Sequence, residues 1–178
     1  LDSQIPLDLS FTDERGVPVQ LRQYLGGKPI ILNFVYYKCR DVCPLLLDGI
    51  VRALRAIRFD VGDEFEVLTV SIDPSDTAAL AAAQKKDFIG RYGRVGSERG
   101  WHFLTGKEAP IRKLAEAVGF HYSFNAKTGE FAHATGVVLL TPGGKASRYF
   151  YGIEFSPRDL RLGLVEAAEG KIGTPIDQ

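Results

Sequence analysis

Two cysteines, Cys39 and Cys43, are the only sulfur donors in a chain of 178 residues that contains no methionine. Three residues lie between them, a spacing that lets the loop close into a disulfide or lets both thiolates converge on one metal ion. Two soft thiolates joined by one imidazole make a trigonal set suited to Cu(I), and three histidines are on offer, His102, His121 and His133. Spacing alone does not choose among them. Structural zinc fits less well, because it wants four ligands and there is no second cysteine pair. The plain alternative is a pair of buried thiols that merely pack or form an incidental disulfide; against it stands their place at a helix N-terminus, where partial positive charge activates thiols.

That place follows from the flanking elements. Ile30-Ile31-Leu32-Asn33-Phe34-Val35-Tyr36 is apolar on both alternating faces and rich in β-branched residues, as a central parallel strand covered on both sides should be. After the loop Cys39-Arg40-Asp41-Val42-Cys43, Pro44 suits a first helical position, and Leu47, Ile50, Leu54 and Ile57 share one face, with Arg52, Arg55 and Arg58 on the wet side.

Ahead of this unit, Asp13 to Gly16 turns between Leu7-Asp8-Leu9 and Val17-Pro18-Val19, an N-terminal hairpin read as decoration on a core that starts near Ile30. Behind it, Phe65 to Ile72 is a strand ended by Asp73-Pro74, and Ser75 or Asp76 caps an alanine-rich helix that Gly93 stops near Tyr92. Trp101 to Leu104 is a strand and Pro110 to Val118 a helix closed by Gly119. Strand Phe120 to Phe124, a turn at 125–129, strand Gly136 to Leu140, a turn at 141–144 and strand Lys145 to Tyr151 follow. Ser156-Pro157 opens a last helix that Gly170 closes, and Lys171 to Gln178 reads as a flexible tail. Alternating strands and helices followed by a hairpin predict one α/β domain over 1–178, with its core at about 28–170. A mixed central sheet is flanked by helices, and the cysteine loop sits at the carboxyl end of a central strand, where such sheets place their sites.

Lys plus Arg and Asp plus Glu are balanced at 22 each, and no basic run stands out, so nucleic acid is not an expected partner. No stretch approaches the roughly 18 apolar residues needed to span a bilayer. The missing methionine implies an end reached by processing or trimming, so a targeting or anchoring segment can have been lost. One close cysteine pair is too little for a disulfide framework.

Four stretches in order carry a specific resemblance: Gly27 to Phe34 with Tyr37-Lys38-Cys39-Arg40-Asp41-Val42-Cys43-Pro44, Val70 to Thr77, Trp101 to Gly106, and His133 ahead of the strand and turn at Gly136 to Gly144. Together they resemble the Sco (SenC) family of copper-binding proteins with a thioredoxin-like fold. The resemblance implies that Cys39, Cys43 and His133 bind one copper ion, as Cu(I) or Cu(II). It implies a metallochaperone that delivers copper, or reducing equivalents, to the CuA-bearing subunit of cytochrome c oxidase or another copper acceptor. It also implies an extracytoplasmic location, on the periplasmic side of a bacterial membrane, with a tethering helix absent from this chain. Arg40 stands where family members often carry proline, and Ala132 where they often carry aspartate.

Two other classes compete. A thiol-disulfide oxidoreductase, with a thiol reductase as partner, would use Cys39 and Cys43 as a redox pair; thioredoxin-type enzymes have two intervening residues, not three. Val42-Cys43-Pro44 echoes peroxiredoxin-type peroxidases, yet Arg40 and Tyr36 occupy the positions of that family's hydroxyl and proline. Outside the site, Asp73 is most simply a turn residue with partner contact as the alternative. Tyr149, Phe150, Tyr151 and Phe155 are core or a docking patch.

Overall fold

A computed structural model of the chain describes residues 1–173. Its centre is a five-stranded sheet in the order β5-β4-β3-β8-β9, formed by β3 (Ile30–Val35), β4 (Glu66–Ser71), β5 (Trp101–Leu104), β8 (Gly136–Leu140) and β9 (Ala146–Tyr151). β3 runs parallel to β4, and β4 to β5, while β8 is antiparallel to both β3 and β9. Every residue of β3 is buried, as its unbroken apolar run requires of a strand covered on both faces.

Helices α1 (Val42–Arg55), α2 (Ala78–Tyr92), α3 (Glu108–Ala117) and α4 (Pro157–Ala168) complete the layers. On one face Ile31, Val35 and Val67 pack under Leu46, Leu47, Ile50 and Leu54 of α1 and Phe88 and Tyr92 of α2. On the other, Leu32, Phe34, Leu68 and Val70 meet Ile111 and Leu114 of α3. Arg52, Arg55 and Arg58 are exposed, as the helical periodicity requires.

Several boundaries differ from expectation for physical reasons. α1 and α3 each begin two residues before the expected start, so Pro44 and Pro110 are third helical residues; none of the first turn's N–H groups has an intrahelical acceptor, so proline is tolerated there as well. α2 is capped by Thr77, whose Oγ1 accepts from Leu80 N–H, and not by Ser75 or Asp76. The hairpin strands are β1 (Ser10–Thr12) and β2 (Pro18–Gln20), shifted from the expected segments. This hairpin is more than decoration: Phe11, Val19 and the neighbouring Ile5, Leu9 and Leu21 are buried in the second cluster. β6 (Tyr122–Asn125) pairs with β7 (Glu130–His133), which lies between the expected turn at 125–129 and the strand from Gly136, as a separate two-stranded ribbon. Lys171 and Gly173 hydrogen-bond to Ser147 of β9, and the rest of the expected tail, 174–178, lies outside the described residues. No helix among the described residues is long and apolar enough to cross a membrane.

Candidate metal centre

The cysteine loop leaves β3 at its carboxyl end, between a strand with no exposed residue and the first turn of α1. Tyr37 anchors it from three directions. Its N–H donates to Asp76 Oδ2 at 2.7 Å, its carbonyl accepts from Gln84 Nε2 at 3.4 Å, and its hydroxyl lies 2.8 Å from Leu104 O and 3.2 Å from Thr69 O. Cys39 N–H then turns back to Tyr36 O at 3.0 Å. Cys43 is the second residue of α1 and is buried at 3% exposure, whereas Cys39 is half-exposed.

The two thiols are therefore unequal. Burial pushes the Cys39 thiol up, but hydrogen bonds with the Cys43 thiol, the backbone at Cys43 and Asp41 and the Tyr36 hydroxyl outweigh it, and the pKa falls below that of an ordinary thiol. Burial dominates at Cys43, and with the neighbouring Cys39 it drives that thiol well above the usual range. Tyr36 is likewise raised, by burial first and then by its contact with Cys39.

The third component comes from outside the main sheet. His133 ends β7, opposite Tyr122 of β6, and its Nε2 lies 3.5 Å from Cys43 Sγ. Its Nδ1 is 2.7 Å from Ala134 O, so the Nδ1–H donates to that carbonyl and the Nε2 lone pair is left facing the sulfur. A backbone acceptor on the far nitrogen is the usual way to orient a metal-binding imidazole. The ring sits between Tyr36 and Phe120, at centroid distances of 6.2 and 5.9 Å. Phe131, against Tyr36, Tyr122 and Phe124, holds the ribbon to this surface. Just past the histidine, Gly136 has φ +152°, and a Cβ there would meet Phe150 O at 2.4 Å, so only glycine lets the chain enter β8 this close to β9.

Cys43 and His133 thus meet directly, and Cys39 lies beside Cys43. The three donor atoms are not all within 4.8 Å of one another; among the described residues the set that meets that spacing is Asp60, Asp63 and Glu64, where Arg94 already pairs with Asp60 at 2.9 Å. The other histidines are elsewhere. His102 lies near the amino end of the parallel strands with Nε2 2.9 Å from Glu66 Oε2 and its ring against Tyr24, and His121 is exposed ahead of β6. Asp73 serves its turn, accepting from Ser75 N–H and Oγ. Of the late aromatics, Phe155 is buried, Tyr149 and Phe150 are half-buried and Tyr151 is exposed. Sequence reasoning missed Phe120 and Phe131 as the histidine's support and Asp76 as the anchor of the loop. Phe120 lies ahead of the ribbon and Phe131 in a strand of four residues, too short for its period to stand out, and nothing local revealed Asp76.

The SCO1/SenC family profile matches residues 2–167. The chain is 28% identical over 149 residues to the mitochondrial SCO2 homologue of Bos taurus, covering 80% of this chain and 52% of that protein. It thus spans about half the length of that relative. A putative electron transfer protein from Aquifex aeolicus superposes with a TM-score of 0.83 at 28% identity, covering 96% of this chain and 95% of that one. Arabidopsis thaliana ScoI, solved with copper bound, shares the fold with a TM-score of 0.71 at 22% identity, covering 91% and 96%.

Proposed function

This chain belongs to the SCO1/SenC family, and from that premise we propose that it takes up one copper ion through Cys39, Cys43 and His133 and hands copper, or reducing equivalents, to the CuA centre of cytochrome c oxidase. The observation that carries the donor set is the Cys43 Sγ to His133 Nε2 approach of 3.5 Å, with Nδ1–H held by Ala134 O. The donors suit a soft ion: two sulfurs and a nitrogen, which is the chemistry Cu(I) prefers. The copper of Arabidopsis thaliana ScoI, on the same fold, agrees with this reading. Copper is here cargo. The half-exposed Cys39 offers the first contact, Cys43 lies deeper, and an imidazole already turned toward the sulfur completes the set without reorganising its own hydrogen bond. The work is extracytoplasmic, at a membrane surface facing the oxidase.

Because each sulfur must be a free thiolate to bind metal, reduced protein should hold one Cu(I) against a competing chelator and disulfide-oxidised protein should hold none. Equal uptake by both forms would defeat the shared use of Cys39 and Cys43.

A second reading has one specific observation behind it. A half-exposed, low-pKa Cys39 beside a buried, high-pKa Cys43 is the asymmetry of an attacking and a resolving thiol. A thiol-disulfide oxidoreductase would reduce insulin at rates that vanish in Cys39→Ser; a metallochaperone would turn it over slowly or not at all.

A further inference from the structure

Asp76 is a buried carboxylate that satisfies only half of itself. Its side chain has no exposed surface, and Oδ2 accepts twice, from Tyr37 N–H at 2.7 Å and from Ser71 Oγ at 2.6 Å. Oδ1 has no hydrogen-bond donor. An acceptor left so in the interior carries a real cost, and it calls for a reason. The nearest cation is the Lys38 ammonium, 3.8 Å from Oδ1 and so outside hydrogen-bond range. Lys38 instead donates to Ser75 Oγ at 2.8 Å, with Asp73 Oδ2 at 3.9 Å, and its side chain is half-exposed. Lys38 is peptide-bonded to Cys39, whose thiol already meets that of Cys43, so the separation that keeps the three donors from sharing an ion is the one between Cys39 and His133.

We propose that Lys38 and Asp76 form a two-position latch on the cysteine loop: Lys38 rests on Ser75 while Cys39, already beside Cys43, stands off from His133, and Lys38 moves onto Asp76 Oδ1 when Cys39 closes on His133. Asp76 is then a positioning residue. Through Tyr37 N–H it fixes the root of the loop, and through Oδ1 it stabilises the closed arrangement that holds a metal. The free carboxylate oxygen and the gap between Cys39 and His133 are two observations with one explanation. The latch rests on the proposed donor set, so its test must separate the two.

The experiment compares the reduced parent with Lys38→Gln, Lys38→Arg, Asp76→Asn and the double variant Lys38→Gln/Asp76→Asn. Cu(I) affinity is read by chelator competition, Cd(II) affinity by its thiolate charge-transfer absorption, and metal-free stability by urea unfolding. Lys38→Gln should weaken both ions by at least about fivefold, the lower end for a coupled two-state element, with the metal-free midpoint unchanged because Lys38 is half-exposed. Lys38→Arg should restore the affinity. The double variant should bind no worse than the weaker single, since either change removes the same closed contact. Even if Asp76→Asn fails to fold, the Lys38 variants decide the matter. Parent-like affinity for both ions in Lys38→Gln, or losses that simply add in the double variant, would overturn the latch and leave the donor set standing. Cd(II) binding that depends on Lys38 in a protein that ignores Cu(I) would overturn the copper reading and leave the latch. Binding of neither ion would overturn both.

Discussion

The thiols and the imidazole reach the same point from two unlike regions. Cys39 and Cys43 hang from β3, all of whose residues are buried, with Trp101 and Phe103 at 0% exposure on β5, beyond β4 in the same parallel half of the sheet. His133 rides on the β6–β7 ribbon, of whose eight residues none is buried and Phe124 is 57% exposed. One region places its donors by the rigidity of the packed sheet. The other places its donor by a few aromatic contacts and one backbone acceptor. Such a division keeps the buried Cys43 in place while the ribbon's histidine and the loop's Cys39 shift relative to it, which suits a protein that must release its ion as well as bind it.

The division can be broken most severely from the core side. Trp101→Ala should cost about 3–5 kcal/mol, the range for a fully buried tryptophan, and should remove metal binding only by unfolding the protein; urea denaturation followed by far-UV circular dichroism measures it. On the ribbon, His133→Ala should leave the unfolding free energy within about 0.5 kcal/mol of the parent. The same variant should weaken Cu(I) by at least about 10–100-fold, the loss seen when even an outer-shell partner is removed. His102→Ala and His121→Ala should bind like the parent. A large loss of stability in His133→Ala would mean that the ribbon belongs to the core after all.

Phe131→Ala sharpens the contrast. Its aromatic contacts are each worth about 0.5–1.5 kcal/mol, so loosening the ribbon should weaken Cu(I) by roughly 2–10-fold through poorer placement of His133. The urea m-value should be unchanged, since the core remains intact.

Of the two regions, the sheet was the legible one. The run from Ile30 to Tyr36 announced a doubly covered strand, and Leu47, Ile50, Leu54 and Ile57 announced the face of α1, because burial writes a periodicity into the sequence. The ribbon wrote too little: Glu130-Phe131-Ala132-His133 is four residues long, and its half-buried face, Phe131 with His133, is too short to stand out as a period. His133 was therefore readable only through the family resemblance. Asp76 was misread as a cap for a physical reason. An aspartate two residues after a proline satisfies local capping rules, whereas its true partners, Tyr37 and Ser71, are brought to it by the parallel pairing of β3 with β4.

The smallest effect expected is one of pH. Burial raises the Asp76 carboxyl above its usual range, so between the unfolded and folded pKa values the folded protein holds more protons. Stability from this group is therefore greatest at acid pH and falls as pH rises through that window. Asp76→Asn should flatten this segment of the stability profile of the metal-free protein; a profile that instead steepens would reverse the assigned direction.

The donor set itself is tested most directly by copper K-edge X-ray absorption on the reduced, Cu(I)-loaded protein beside His133→Ala. Two sulfur scatterers and one imidazole nitrogen in the parent, with the nitrogen lost and both sulfurs kept in the variant, is the predicted result. A parent spectrum with sulfur alone, or an imidazole contribution that persists in His133→Ala, would contradict it.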